Sequence, residues 1–317
     1  MSAIAVQRIS TYGFRVTPLW IPLTIAAAFC QNLRTVLQKH LRARLSTNGA
    51  TFTRYAFGSP LIILYAIGLH GLAGMAWPQP NLVFVGWVAT GAVTQILATS
   101  FLIHLFTFRN FAVGVASSKT EVIQAAIFGL VFLGEVVTLW GAAAIAIGTL
   151  GVMLISLVGT GRVLHELLLG WTERPALIGI ASGGLFGIAA VAFRAAALSL
   201  GAEGFVMPAG YTLLWANLLQ TALLSAYLYA RERDQFAKLL AAWRVSALTG
   251  IIGVVASALW FMAMTIQLVA YVRTLGLIEL VFTFAFAWFW FKERPRLTEL
   301  IGIALLLVGI GMTLNLR

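Results

Sequence analysis

Ten apolar runs, each about as long as a bilayer is thick, constrain this chain more than any other feature. They lie at 18–38, 49–70, 81–106, 111–133, 138–158, 176–199, 205–230, 244–267, 269–291 and 297–315. A helix needs about 20 apolar residues to cross the hydrocarbon core. The runs are continuous and do not alternate in polarity, so they predict helices and not a closed barrel. The connections are short, and the longest interruptions, 159–175 and 231–243, leave no room for a separate soluble domain. Charged residues make up 10% of the chain against 61% hydrophobic. Soluble domains carry roughly 25% charged residues, so this chain has too few to coat a surface facing water. The expected fold is an all-α integral membrane protein of ten transmembrane helices, with the lipid bilayer as its solvent. Cys30 is the only cysteine, which excludes an intramolecular disulfide. The first run begins late, carries Gln31, Asn32 and Arg34, and has no small-residue cleavage site, so it is expected to persist as the first span.

The formal net charge is +11. No groove-reading motif accompanies it, so no nucleic-acid partner is expected. The positive charge instead collects in connections. Thirteen of the twenty-one Lys and Arg residues fall in odd-numbered connections and four in the tails and even-numbered ones. The positive-inside rule then puts the odd connections in the cytoplasm and both termini outside.

Shifting the chain by 158 residues superimposes its halves without gaps from the third span onward. Glu121 meets Glu279, Glu135 meets Glu293, Phe128 meets Phe286, Leu139 meets Leu297, Ala146 meets Ala304 and Gly151 meets Gly309. The glutamates weigh most, because the chain has only ten acidic residues. Five spans per half is an odd number, so the halves must insert in opposite senses. This predicts an inverted 5+5 repeat: 1–158 as the first unit, 159–175 as the connection and 176–317 as the second. Inverted repeats are common in secondary transporters, with the substrate site at the repeat interface.

Phe132-Leu133-Gly134-Glu135, followed by Thr138 and Gly151, closes the fourth span and enters the fifth. Phe291-Lys292-Glu293, followed by Gly302 and Gly309, repeats the pattern, and Arg54-Tyr55 opens the second span. On these residues the chain resembles the drug/metabolite transporter superfamily in its ten-helix EamA-type form, over nearly its whole length. The resemblance implies a pseudo-symmetric fold in which spans one to four and six to nine surround a central cavity. It also implies a small-molecule substrate, a bacterial inner-membrane location and, by family habit, export. The chain departs from the family at Ser117-Ser118-Lys119-Thr120-Glu121, where many relatives carry uncharged residues and a proline.

A charge at the bilayer centre costs about 2.5–3.5 kcal/mol on insertion scales. Arg34, Arg54, Arg194 and Arg273 lie within one or two turns of a helix end and are expected to snorkel. Glu135 and Glu293 sit at corners and are expected to cap the next helix. Lys119, Glu121 and Glu279 have no such escape. Ser117, Glu121 and Gln124 share one face of the fourth span, giving it a polar stripe turned from lipid. The glutamates are candidates to bind a substrate amine or carry a coupling proton, and Lys119 to hold a substrate carboxylate or phosphate. The alternative is an ion pair, such as Lys119 with Glu279, that only fixes packing.

Further candidates are Gln31, Thr35 and Gln38 on one stripe of the first span, with Asn32 beside it. Others are Thr94, Gln95, Thr99 and His104 in the third, Tyr211, Trp215, Asn217 and Gln220 in the seventh, and Trp260 and Gln267 in the eighth. Each can line a cavity or hydrogen-bond between helices. Gly148, Gly151, Gly183 and Gly187 read as close helix packing. His40, His70, His104 and His165 lack metal-ligand spacing, and no nucleotide-binding loop occurs, so neither a metal nor another cofactor is expected. A secondary transporter working by alternating access fits these features best. An intramembrane lipid or isoprenoid enzyme would cluster polar residues at one interface, and a sensor or assembly subunit would not need midplane charges in both halves.

Overall fold

The computed structural model describes residues 19–158, 163, 170–291 and 296–315. Glu293, expected to cap the last helix, lies outside them. The first half comprises α1 (Trp20–Leu41), α2 (Thr47–Ala56), α3 (Ser59–Gly71), α4 (Leu82–Leu105), α5 (Phe111–Ser118), α6 (Glu121–Leu133) and α7 (Leu139–Leu157). The second comprises α8 (Arg174–Ser199), α9 (Val206–Arg231), α10 (Asp234–Ala241), α11 (Trp243–Ile266), α12 (Val269–Gly276), α13 (Ile278–Phe291) and α14 (Leu297–Leu314). No strand occurs among the described residues.

The sequence marks the helix ends. Ser46, Asn81 and Thr138 accept backbone N–H bonds from Gly49, Phe84 and Gly141, and so begin α2, α4 and α7. Gly134 closes α6 in the left-handed conformation, φ +69°. There Gly134 N–H donates to Leu130 O and Glu135 N–H to Gly129 O, which satisfies the last carbonyls.

Among the described residues, eight units are long and apolar enough to cross a membrane. They are α2–α3, α4, α5–α6, α7, α8, α9, α11 and α14. The two remaining expected spans are also helical: α1 carries the polar stripe of Gln31 and Arg34, and α12–α13 is divided by a turn. The outer surface is apolar, with Leu64, Ile67, Ile127, Val131, Leu307 and Val308 all exposed. Polar Ser182, Asn217 and Gln220 are buried inside. Soluble monomers do not expose apolar surface on this scale. The chain is a multi-pass integral membrane protein.

The 158-residue offset holds in three dimensions. α5 starts at Phe111 and ends at Ser118, and α12 starts at Val269 and ends at Gly276. α6 and α13 end at Leu133 and Phe291, and α7 and α14 start at Leu139 and Leu297. Packing is reciprocal: α4 lies on α8 as α11 lies on α1, and α7 packs against its own counterpart α14. In that last seam a Cβ on Gly151 would stand 2.6 Å from Gly302 O, and a Cβ on Gly309 would stand 2.6 Å from Gly148 N. Only glycine permits this backbone approach. Gly183 likewise faces Ser118 O, and Gly187 faces Ala125 N, where α8 crosses α5–α6. These glycines are the close-packing positions expected of them.

The fourth and ninth expected spans are each interrupted at the same place in the repeat. After α5, Lys119 and Thr120 N–H groups reach Ala116 O and Ser117 O, three residues back. Ser118 Oγ and Thr120 Oγ1 donate to Val115 O and Ser117 O at 2.7 and 2.6 Å. After α12, Leu277 N–H reaches Thr274 O, and Thr274 Oγ1 donates to Ala270 O. Such tight turns and hydroxyl back-bonds bend a helix. Glu121 and Glu279 therefore stand in the first turn after each kink.

Candidate functional site

The kinks bring Glu121 and Glu279 to the interface between the halves, where each meets a cation from the opposite half. Lys119 Nζ lies 3.4 Å from Glu279 Oε1. Arg273 Nε lies 3.3 Å from Glu121 Oε1. The second contact lacks hydrogen-bond geometry, and both of those atoms are buried without another partner. It is a charge contact between two half-buried side chains.

A hydrogen-bonded chain connects the two pairs. Gln31 Nε2 of α1 donates to Glu279 Oε2 at 2.6 Å. Trp260 Nε1 of α11 donates to Gln31 Oε1 at 3.1 Å. The Arg273 guanidinium then sits 5.2 Å from the centre of the Trp260 ring, a cation–π contact. Asn32 Nδ2 donates to Glu279 O at 3.0 Å and to Thr283 Oγ1 at 2.6 Å, fixing α1 to the start of α13. Gly276 makes room for Trp260, since a Cβ there would come within 2.4 Å of the ring. The order of contacts is Lys119, Glu279, Gln31, Trp260, Arg273 and Glu121.

Glu121, Glu279, Lys119, Gln31, Asn32 and Trp260, all candidates from the sequence, thus touch one network. Gln124 and Ser117 stand apart from it. Gln124 Nε2 donates to Thr120 Oγ1 at 2.8 Å and to Ile180 O at 3.2 Å, so it leans on α8. Ser117 is buried at the kink, and its carbonyl accepts from Thr120. The secondary candidates divide similarly. Thr35, Thr94 and Thr99 bond back to carbonyls of their own helices. Gln38 reaches Ala50 O, His104 packs edge-on to Phe108, and Trp215 is exposed. Gln95, Asn217 and Gln220 meet in a second polar cluster.

Two expectations are corrected here. Glu135 does not cap α7; Thr138 does. Glu135 instead forms a buried ion pair with Arg194 of α8. Arg194 does not snorkel, because its guanidinium also donates to Met264 O, to Thr265 O at 3.0 Å and to Gln267 O at 2.8 Å. Those are orphan carbonyls at the C-terminal end of α11, where a cation is favoured. Arg273 and Arg34 do not snorkel either: the first faces Glu121, and the second is only 8% exposed. Distance from a helix end along the sequence gives no azimuth. The stripe Gln31, Arg34, Gln38 was the available signal that Arg34 faces inward.

Two helical halves that pack reciprocally, with charge pairs at their interface, make a two-repeat membrane protein. The chain belongs to the EamA-like transporter family, which matches residues 18–157 and again 176–315. Among curated proteins no sequence matches. A solved structure titled "Crystal structure of protein" is similar in fold, with a TM-score of 0.68 at 15% identity, covering 93% of this chain and 96% of its own.

Proposed function

We propose that this protein is a secondary transporter of a small polar or amphipathic metabolite, working by alternating access without ATP. In this reading α1 and the α12–α13 unit also cross the bilayer. That gives ten spans in an inverted 5+5 arrangement of units 1–158 and 176–317. α1 has 22 residues, enough at about 1.5 Å each to span the core. Its polar face is accommodated because it turns toward the other half.

One observation carries the proposal: each central glutamate is paired with a cation supplied by the opposite repeat. Rocking one repeat against the other would break both pairs together. A buried carboxylate without its cation is costly, so the pairs would resist opening until another charge takes their place. A substrate amine or a proton on Glu279 would be that replacement, and a substrate anion would take up Lys119. Binding would then be coupled to movement, as alternating access needs. Family resemblance alone carries the outward direction.

The test is solute counterflow in ATP-free proteoliposomes, with the purified protein preloaded with each member of a metabolite panel. Accumulation of a labelled solute against its preloaded counterpart is expected. A folded protein that moves no member of the panel, or moves one only with ATP, would overturn the reading.

A further inference from the structure

The interior charges of the described residues do not balance. Glu135 is matched by Arg194, Glu279 by Lys119 and Glu121 by Arg273. Two cations remain, Arg34 and Arg54; among the described residues neither has a carboxylate within ion-pair distance, and the one carboxylate charge that acts on Arg34, that of Glu279, is already paired with Lys119. The two arginines flank Gly253 of α11: a Cβ there would lie 3.4 Å from Arg34 Cδ and 3.4 Å from Arg54 Cβ. Arg34 is 8% exposed, and its Nε has no hydrogen-bond partner. Arg54 has only neutral partners, the Tyr55 hydroxyl at 2.6 Å and Gln95 Oε1 at 3.2 Å. Two like charges side by side in a low-dielectric interior are unfavourable unless an anion joins them.

A polar cleft adjoins the pair. Arg54, Gln95, Asn217, Gln220, Gly253 and Ser257 line it from four helices, and it encloses about 30 Å³. That is room for roughly a water or two, so the cleft is nearly closed in this conformation. Gln95 Oε1, on its wall, accepts from both Arg54 and Gln220 Nε2, the latter at 2.8 Å. That amide oxygen occupies the position an anionic oxygen would take. Displacing it would give the newcomer the Arg54 guanidinium and the Gln220 amide as donors; Arg34 is not in the lining but packs beside Gly253, which is. Guanidinium groups match carboxylate and phosphate oxygens in pairs.

We propose that Arg34 and Arg54 form an anion subsite of the transport site, and that the transported solute carries a carboxylate or phosphate group. This assignment rests on the transporter reading and adds the substrate class to it. The experiment uses detergent-purified full-length protein. Its melting temperature is followed with succinate and glycerol 3-phosphate, against succinamide and glycerol at matched ionic strength. A saturable rise with at least one anion, absent with its neutral counterpart, is expected, and which anion acts separates carboxylate from phosphate. Arg34→Gln and Arg54→Gln should each weaken the apparent affinity by about tenfold or more. Arg54→Lys, which keeps the charge and loses the fork, should fall between. Anions that act no better than their neutral counterparts on wild-type protein overturn the subsite, as do folded arginine variants that bind unchanged. If a neutral or cationic solute is carried equally well by wild type and both glutamine variants, the subsite falls and the transporter reading stands. If anions bind through the arginines but no panel solute crosses the proteoliposome membrane, the transporter reading falls and the subsite stands.

Discussion

Arg194 ties the first half of the chain to the end of α11. It holds Glu135 at the end of the first repeat's fourth span and three carbonyls at the end of α11. Removing one partner of a buried ion pair strands the other charge, typically at about 3–5 kcal/mol. Arg194→Ala should therefore lower the melting temperature of the purified protein sharply. Arg194→Lys should recover only part of the loss, because an ammonium cannot serve the carboxylate and three carbonyls as a fork does. A lysine variant that melts like wild type would contradict this role. The sequence pointed to Glu135 through its corner motif, but not to its partner. The pair is 59 residues apart, and no local rule links them.

At the scale of elements, the two kinks matter most. The first was not legible: Ser117-Ser118-Lys119-Thr120-Glu121 contains neither proline nor glycine, the usual marks of a break, whereas the second has Gly276. The turn is built from hydroxyl back-bonds, whose formation depends on surrounding packing. The positions of Glu121 and Glu279, by contrast, were legible, because acidic residues are rare in this chain and these two share the 158-residue offset. Gly276 closes α12 under the Trp260 ring. A Cβ there has to move an indole that is buried and hydrogen-bonded to Gln31. Overpacking of this kind costs about 1–3 kcal/mol. Gly276→Val should lower the melting temperature and separate Trp260 from Gln31, visible as a shift in tryptophan fluorescence. Unchanged emission and stability would show that the ring is not held as described.

For the molecule as a whole, the all-helical membrane fold in two repeats was readable because long apolar runs announce membrane spans and the 158-residue offset relates the halves; eight of the ten expected spans are long and apolar enough among the described residues. Lys119 with Glu279 was one pairing named from the sequence, and it forms; what could not be read was that Arg273 answers Glu121 and Arg194 answers Glu135. That depends on how the halves dock, and the docking runs through glycine seams whose faces only three dimensions reveal. The α7–α14 seam makes this testable: the Cβ of Gly151→Leu would collide with the Gly302 carbonyl and the Leu306 amide at 2.6 Å each. Backbone cannot yield as a side chain does, so about 1–3 kcal/mol or more should be lost, read as a lower melting temperature. If the variant is as stable as wild type, the seam is looser than described.

The central claim is that Glu279, held by Lys119 and Gln31, couples charge to the movement of the two repeats. The most direct measurement is made in proteoliposomes with a solute that wild type transports. Counterflow exchange and pH-gradient-driven uptake are compared for wild type and Glu279→Gln. The account predicts that the variant still exchanges solute but no longer concentrates it in response to a proton gradient. A folded variant that responds to the gradient as wild type does would reduce Glu279 to a packing charge and contradict the account.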